Sequence, residues 1–499
     1  MTALPEIIIG SGPAGISTAF ARLARGARVL MLDGGRDLEP DNQARQTHMA
    51  DSFATGWTPA QIDSYRDANA APPPGQVRRF GSDFAQEPLA ATCADDPDWF
   101  GLRASRAIGG LSNLWGSSVL PNRDADMADW PPGAADLAPH YRAVAGFMPI
   151  AGDTCFDGMF PALSMDGHDS LPMGAQARRV LDRNTPDPAL TLGPARQAVR
   201  RGCKSCGLCL HGCPWNLIFS ARQALPDLAG NPSFLHRPGA PVRAVTQDGD
   251  TVRVHLDSGE TIDGARVFVA AGVLETARIA LASDWADTLT LRDSQHGFMP
   301  LLTRVAADPA APRHTLTTLF AELDDPALSP FLIHSQIYAY NEFYAPEMIA
   351  RYGRLMPGVG PPLFRWLARH MMVAQTFLHS DHSARMHLTR APDGRLRVTP
   401  DPNPDTLPLL KQAQTRLARA LRPAGLLALV PAAHAGPPGS SFHAGSTLPM
   451  GGLTDLLGRP GGLDRVHVVD ASVLPAIAAT TITFTVMANA HRIGTETPA

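Results

Sequence analysis

The stretch that decides the fold is residues 5–33, PEIIIGSGPAGISTAFARLARGARVLMLD. A short apolar run, a glycine-rich turn, a helical segment and a second apolar run predict one βαβ unit. Gly10 allows the tight turn, Gly12 lets backbone N–H groups approach a pyrophosphate, and Gly15 lets the helix lie close to the strand. The pattern therefore predicts a dinucleotide site at the N-terminus of the helix.

Asp33 ends the second predicted strand. A carboxylate at this point can accept hydrogen bonds from the ribose hydroxyls of a bound dinucleotide. Strand, turn, helix and acidic residue occur in the required order, so a turn that binds nothing is a poor alternative. At this step FAD and NAD are both open.

Composition narrows the class of protein. The chain has 499 residues, 44% of them hydrophobic, with a net charge of −4. We expect a sizeable core and a small-molecule partner, and no nucleic acid or anionic membrane surface. No signal peptide or membrane span is predicted. Six cysteines are too few for a disulfide scaffold in so long a chain, which favours the cytoplasm.

Four of those cysteines lie close together, as Cys203, Cys206, Cys209 and Cys213, followed by Pro214. Their spacing is that of a bacterial ferredoxin run, and without a second run all four are expected to bind one [4Fe–4S] cluster. A [3Fe–4S] cluster held by three of them is the variant form. A structural zinc ion and a metal-free cysteine-rich loop are the alternatives.

Four further segments follow one another in the order of known family motifs. They are RAIGGLSNLWG at 106–116, VFVAAGVLETAR at 267–278, HAGSTLPMG at 443–451 and VVDASVLP at 468–475. Together they resemble the glucose-methanol-choline (GMC) family of oxidoreductases over nearly the whole chain. The resemblance implies FAD as the cofactor, and the tryptophan in the first segment resembles the sugar-oxidising branch.

The resemblance also implies the residues of the site. His443 would be the catalytic base. Thr481 stands where the family has a second catalytic His or Asn, and a threonine hydroxyl can only position the substrate oxygen. Leu114 replaces a histidine that links FAD covalently in some members, so noncovalent FAD is expected. The implied cofactor contacts are Gly10, Gly12, Gly15, Asp33, Gly109, Gly110, Asn113, Trp115, Ala271, Gly272, Asp470 and Ala471.

The expected fold class is α/β, a Rossmann-type FAD-binding domain interleaved with a substrate domain built on an antiparallel sheet. Alternating stretches at 385–389 and 395–399 are assigned to that sheet. The expected FAD-binding parts are 1–120, with a lid region at about 35–98, 217–290 and 436–499. Residues 121–200 form a substrate or cap segment, 201–216 the iron-sulfur loop, and 291–435 the substrate-binding domain.

The predicted reaction is oxidation of a CH–OH group. His443 takes the hydroxyl proton while a hydride passes to flavin N5, and the electrons leave through the cluster to an external acceptor protein or quinone. A sugar, a glycoside or another alcohol is the expected substrate. The alternatives are a redox-neutral isomerase or epimerase and a non-catalytic electron-transfer flavoprotein. His379, His382 and His387 are interpreted as core or solvated residues, and His491 as a helix-end residue.

Overall fold

The computed structural model describes residues 4–53, 56–68, 79–95, 97–352, 358 and 360–498. The predicted lid region therefore lies partly outside the described residues, at 54–55, 69–78 and 96. Within the described ranges, no helix is long and apolar enough to cross a membrane.

The α-helices of the described residues are α1 Pro13–Ala24, α2 Pro40–Ser52, α3 Pro59–Ala68, α4 Leu89–Thr92, α5 Ala138–Ala145, α6 Ala175–Asp182, α7 Leu225–Ala229, α8 Val273–Ala282, α9 Tyr344–Tyr352, α10 Gly360–Arg369, α11 Thr406–Leu421 and α12 Thr483–Glu496. The strands are β1 Glu6–Ile9, β2 Val29–Leu32, β3 Leu190–Pro194, β4 Phe234–Arg237, β5 Val242–Asp248, β6 Thr251–Leu256, β7 Thr261–Gly264, β8 Arg266–Val269, β9 Leu289–Asp293, β10 His296–Thr303, β11 Leu319–Leu323, β12 Ile333–Tyr338, β13 Met371–Phe377, β14 Arg385–Arg390, β15 Leu396–Asp401, β16 Leu426–Ala428, β17 His434–Ala435, β18 Ala444–Gly445 and β19 Val466–Val468.

The first sheet is parallel, with strand order β19-β8-β1-β2-β4. Its central strand β1 is buried along its length, as a strand covered on both faces must be. The predicted βαβ unit is confirmed as β1, α1 and β2. The strand and helix start predicted within 267–278 are likewise present, as β8 and α8.

Helix α12 holds the C-terminal part of the chain against this sheet by packing along α1. The fully buried Arg22 of α1 donates to both carboxylate oxygens of Glu6, at 2.7 Å each, and to the carbonyls of Gly494 and Thr497. A buried arginine is tolerated here because its donors meet a bidentate carboxylate and helix-end carbonyls. The contact places the start of α12 over the carboxyl ends of the parallel strands.

The second large sheet has seven antiparallel strands, in the order β16-β10-β13-β12-β11-β3 with β17 beside β10. One face is apolar and packs on α11. The other face bears aromatic and polar side chains at alternate positions of β10, β12 and β13 and faces the nucleotide domain. The sheet thus supplies one wall of the space between the two layers.

The predicted hairpin forms as β14 and β15, but it lies in a different sheet from the one expected. It pairs with β9 and β18 in a four-stranded sheet, and its apolar side chains join the core of the nucleotide domain. The hairpin lies in this sheet because β14 pairs with β9, and β9 does not belong to the large sheet. The predicted fold class, a Rossmann-type domain with an antiparallel second sheet, is confirmed.

Candidate active site

A single cavity of about 490 Å³ runs from the glycine turn after β1 to the polar face of the seven-stranded sheet. Of the twelve predicted cofactor contacts, nine line this cavity: Gly10, Gly12, Asp33, Gly110, Trp115, Ala271, Gly272, Asp470 and Ala471. Both predicted catalytic residues, His443 and Thr481, line it as well. The fold therefore brings together residues that lie more than 400 positions apart in the chain.

The three glycines at the turn between β1 and α1 have different structural roles. A Cβ on Gly15 would lie 1.8 Å from the carbonyl oxygen of Gly10, so Gly15 allows α1 to pack against the turn. Gly10 itself has a φ of +103° and would meet the carbonyl oxygen of Ala270. A Cβ on Gly12 would meet no protein atom within 4 Å. The space beside Gly12 is open cavity, as a site for a bound pyrophosphate requires.

Three predicted cofactor contacts do not line the cavity: Gly15, Gly109 and Asn113. Asn113 holds the loop that precedes it, donating to the carbonyls of Ile108 and Gly110 and accepting from Ser220. The N–H of Gly109 donates to the hydroxyl of Ser11, which ties this loop to the first turn. These residues do not line the cavity themselves, but they hold in place the turn and the loop that form its wall.

Two carboxylates at the nucleotide end are already hydrogen-bonded. Asp33 accepts from the Ser11 hydroxyl, the Gly35 N–H and the His236 ring, and it still lines the cavity. Asp470 accepts from the N–H groups of Gly272 and Ser472 and from the Thr276 hydroxyl. Burial raises the pKa of Asp470, which these donors oppose. The two side chains fix the turns on either side of the cavity.

His443 lies at the other end, on a loop under strain. Phe442 and Ser446 near it have φ values of +59° and +60°, which non-glycine residues rarely adopt. The fully buried Asp293 holds the loop by accepting from the Gly439 N–H at 2.7 Å and the Ser441 hydroxyl at 2.8 Å. Burial raises the pKa of Asp293 to about 6. The loop is thus anchored independently of His443.

The His443 ring stacks on Phe377, with 4.9 Å between ring centroids and 20° between planes. Burial, together with the nearby rings of His334 and His296, lowers its pKa to about 3. Its Nδ1 is buried without a hydrogen-bond partner. His443 is therefore a neutral imidazole at the edge of the cavity, in the protonation state that a base needs.

Thr481 is committed to the backbone, because its hydroxyl oxygen accepts from the N–H of Leu120 at 2.9 Å. Thr481, Ile482 and Thr483 line the cavity where α12 begins. The free N–H groups of a helix N-terminus favour negative charge. His491 lies farther along α12, with its Nδ1 2.9 Å from that of His140, and does not line this cavity.

The wall opposite the nucleotide turn was missed by the sequence analysis. Gln336 and Gln375 are cross-strand partners on β12 and β13, and the Tyr338 hydroxyl lies 2.8 Å and 3.3 Å from their Oε1 atoms. The alternation of His334, Gln336 and Tyr338 with the smaller or apolar Ile333, Ser335 and Ile337 was the available signal. The groups that Gln336, Tyr338 and Gln375 bring to the cavity are polar and uncharged.

None of the four cysteines of the predicted metal loop is in a disulfide bond. No group of three or more His, Cys, Asp or Glu side chains in the described part of the chain is placed to hold a metal ion. The predicted metal site is therefore not formed by the side chains as they stand. Burial raises the pKa of Cys206 to about 12 and that of Cys209 to about 11, and neighbouring thiols add to both shifts.

Backbone donors nevertheless surround these sulfurs. The Ser205 N–H lies 3.4 Å from Cys203 Sγ, and the Thr315 N–H lies 3.5 Å from Cys209 Sγ. The N–H of Phe80 donates to the carbonyl of His211, within the loop. The preceding Arg79 is 5% exposed, and in the described part of the chain it forms no ion pair with a carboxylate. Sequence analysis did not identify Arg79.

The other singled-out histidines have local partners. His379 stacks on Phe331 with 3.8 Å between centroids, and the His382 ring lies 3.0 Å from the Ser329 hydroxyl. His387 lies 3.3 Å from the Thr290 hydroxyl. Each ring is therefore explained by packing or by a neighbouring hydroxyl.

The fold and the cavity define a Rossmann-type α/β protein with an antiparallel second sheet. Residues 387–490 match the family model described as GMC oxidoreductase. A solved structure, pyridoxine 4-oxidase from Mesorbium loti, is similar with a TM-score of 0.59 and 17% identity, over 98% of each chain. At that identity the likeness shows the fold.

Curated relatives point to the same family. An uncharacterized GMC-type oxidoreductase, from two strains of Mycobacterium tuberculosis, is 27% identical over 346 residues. The match covers 60% of this chain and 51% of the relatives, so the chain spans about half the length of the curated relatives it matches. The family model and the relatives thus show that the chain is similar to GMC-type oxidoreductases, and the solved structure shows a similar fold.

Proposed function

We propose that this chain is an FAD-dependent dehydrogenase that oxidises the CH–OH group of a neutral alcohol or sugar. The observation that carries the proposal is the continuity of one cavity from the glycine turn to His443. The open space beside Gly12 and the helix start at Thr483 fit a dinucleotide cofactor. Bound FAD would supply the hydride acceptor.

The protein's own contribution is a positioned proton acceptor. His443 is neutral because burial lowers its pKa, so it can take the hydroxyl proton as the C–H hydride leaves the substrate. Thr481 cannot take that role, because a neutral threonine hydroxyl is not a base near neutral pH. The amide groups of Gln336 and Gln375 are available to hydroxyl or carbonyl oxygens, and burying a charged substrate group there would be unfavourable.

The proposal includes an iron-sulfur cluster at the four cysteines as the electron exit. Its support is the spacing, the N–H groups directed at the sulfurs, and Arg79. Burial lowers the pKa of Arg79, and the thiol of Cys209, the hydroxyl of Tyr338 and the thiol of Cys213 oppose that effect. A buried arginine with no carboxylate needs a negative partner, and a thiolate-bound cluster is negatively charged.

Anaerobic mixing of the purified protein with a panel of neutral alcohols and sugars tests the function. We expect the flavin absorbance to bleach with at least one neutral compound and to stay bleached until an electron acceptor is added. Return of the oxidised flavin without an acceptor would indicate an isomerase or epimerase. No bleaching with any alcohol would favour an electron-transfer flavoprotein.

Acid precipitation of the same sample tests how the cofactor is held. We expect the yellow colour in the supernatant, because Leu114 offers no nucleophile for a covalent link. Colour that stays with the precipitated chain would contradict noncovalent binding.

A further inference from the structure

A carboxylate and an imidazole form a fully buried pair behind the catalytic wall. His334 on β12 and Glu322 on β11 are cross-strand partners, and their Nδ1 and Oε1 atoms lie 2.7 Å apart. Both residues are 0% exposed. A buried ionisable pair is costly, and an apolar pair of the same size would serve stability at least as well. The pair therefore calls for a functional explanation.

The pair is aligned with His443 by strand register. His296, Phe377, His334 and Glu322 are successive cross-strand neighbours on β10, β13, β12 and β11, so they share one face of the sheet. His443 stacks on Phe377 in the middle of this row. The His334 ring also contacts Phe377, with 5.8 Å between centroids. His334 is thus next to the ring that supports His443.

Several buried polar atoms in or beside this row have no hydrogen-bond partner among the described residues. His334 Nε2, Glu322 Oε2 and His443 Nδ1 are all buried without a hydrogen-bond partner. A proton on His334 Nδ1 is held by Glu322, which makes His334 Nε2 an acceptor. A proton on His443 Nδ1 leaves the other ring nitrogen of His443 as the base. Glu322 therefore orders the tautomer of His334.

We propose that Glu322, held in place by His334, is a positioning residue whose charge stabilises the protonated form of His443 during substrate oxidation. The inference rests on the proposed function. In the reaction the alcohol loses its O–H proton to His443 and its C–H hydride to the oxidised cofactor, and a carbonyl compound forms. His443 gains one positive charge in a buried place, and the negative charge of Glu322 offsets it.

The need for such a pair follows from two properties of the site. Burial holds the pKa of His443 at about 3, whereas an efficient general base has a pKa near the working pH. Thr481 stands where a second catalytic side chain is expected from the family resemblance, and its oxygen is occupied by the Leu120 N–H. Asp293 faces the same loop but is committed to Gly439 and Ser441, which leaves Glu322 for the charge on His443.

Glu322→Gln is the direct test, because it keeps the size of the side chain and an oxygen for His334 Nδ1 while removing the charge. We expect the rate of anaerobic flavin reduction at saturating substrate to fall 10- to 100-fold, with KM changed less than threefold. FAD content and the thermal midpoint should stay close to those of the unmodified protein. His334→Asn serves as the second variant if Glu322→Gln does not fold.

The matched control is His296→Gln, on the other side of Phe377, because His296 has no carboxylate partner among the described residues. It should retain the reduction rate to within threefold. The pH profile gives a readout that a purely structural role would not move. In Glu322→Gln the acid limb of the reduction rate should shift to lower pH, since the loss of a negative charge makes His443 harder to protonate.

The outcomes separate this inference from the proposed function. If no alcohol bleaches the unmodified protein, the proposed function fails and so does the inference. If the unmodified protein is bleached and Glu322→Gln is reduced at the same rate with the same pH profile, only the Glu322–His334 inference is overturned. Equal losses in His296→Gln and Glu322→Gln would also overturn it, because general disturbance of the sheet would then explain both.

Discussion

At the scale of single residues, His443 and Thr481 show why two side chains beside the same cavity differ in role. His443 is a neutral imidazole with a lone pair available to the cavity, whereas the Thr481 oxygen supports the backbone of Leu120. The first has a basic ring nitrogen, and the second has no basic group. The chemistry is therefore decided by what each side chain already binds.

This difference predicts unequal effects of truncation. We expect His443→Ala to slow anaerobic flavin reduction by about 10²–10⁴-fold while FAD stays bound. Thr481→Ala should lose about one hydrogen bond, roughly 0.5–1.5 kcal/mol, and at most about tenfold in rate. Stopped-flow reduction rates and flavin content measure both. An equal loss in the two variants would contradict the assignment of His443 as the single base.

A second prediction concerns the glycine turn. Gly12→Ala places its methyl group in open cavity, so the variant should fold with an unchanged thermal midpoint and bind FAD at least tenfold more weakly. Gly15→Ala would place its methyl group 1.8 Å from the Gly10 carbonyl oxygen, so it should lower the stability of the apoprotein itself. Flavin titration and thermal unfolding of the apoproteins separate the two. If Gly15→Ala bound FAD weakly while its apoprotein stayed as stable as the unmodified one, this assignment of separate roles to Gly12 and Gly15 would be wrong.

At the scale of elements, the cysteine loop is held by segments distant from it in sequence. The Cys206–Gly207 backbone pairs with Arg313, the Tyr65 hydroxyl donates to the Gly212 carbonyl, and Phe80 pairs with His211. Such contacts hold a loop in one shape whether or not its side chains bind an ion. The loop is thus preorganised, while its thiols still have to lose their protons to bind iron.

Metal analysis tests the proposed cluster at this scale. Anaerobically prepared protein should contain about three to four irons and matching acid-labile sulfide per chain. Cys206→Ser and Arg79→Gln should lower the iron content, the second because the buried counter-charge is lost. Cys155→Ser is the control, because Cys155 lies outside the loop, and this variant should keep the iron content of the unmodified protein. Zinc without sulfide, or no metal in fresh anaerobic protein, would reject the cluster.

At the scale of the whole molecule, buried histidines couple stability to pH. His211, His296, His314 and His467 are at most 5% exposed, and burial lowers the pKa of each from 6.5 to about 4. Below pH 6.5 the unfolded chain binds these protons and the folded chain does not. Stability therefore falls as the pH falls, by on the order of 1.4 kcal/mol per pH unit for each histidine.

We accordingly expect the free energy of unfolding to drop steeply between pH 6.5 and pH 4.5. Asp293 acts in the opposite direction, because its raised pKa of about 6 makes the folded state the better proton binder between pH 6 and its unfolded pKa of 3.8. One carboxyl group offsets about one histidine, so the net effect remains a loss. Urea unfolding of the apoprotein at several pH values measures it, and a flat profile would contradict it.

The amino-acid sequence by itself determined the parallel nucleotide domain and most of the cavity's nucleotide end. Those features depend on local patterns, such as the glycines at 10, 12 and 15 and the apolar strands beside them, which act over a few residues. His443 and Thr481 were likewise found from motifs. The two predicted catalytic residues do line one cavity.

Only the tertiary structure decided what surrounds these residues. The Glu322–His334 pair, the amides of Gln336 and Gln375, and Arg79 beside the cysteines depend on strand register and on contacts between distant segments. The hairpin at 385–401 likewise belongs to the sheet that contains β9, because pairing between distant strands decides which sheet a hairpin joins. Alternation along a strand predicts which residues share a face, but pairing between strands decides which side chains meet across it.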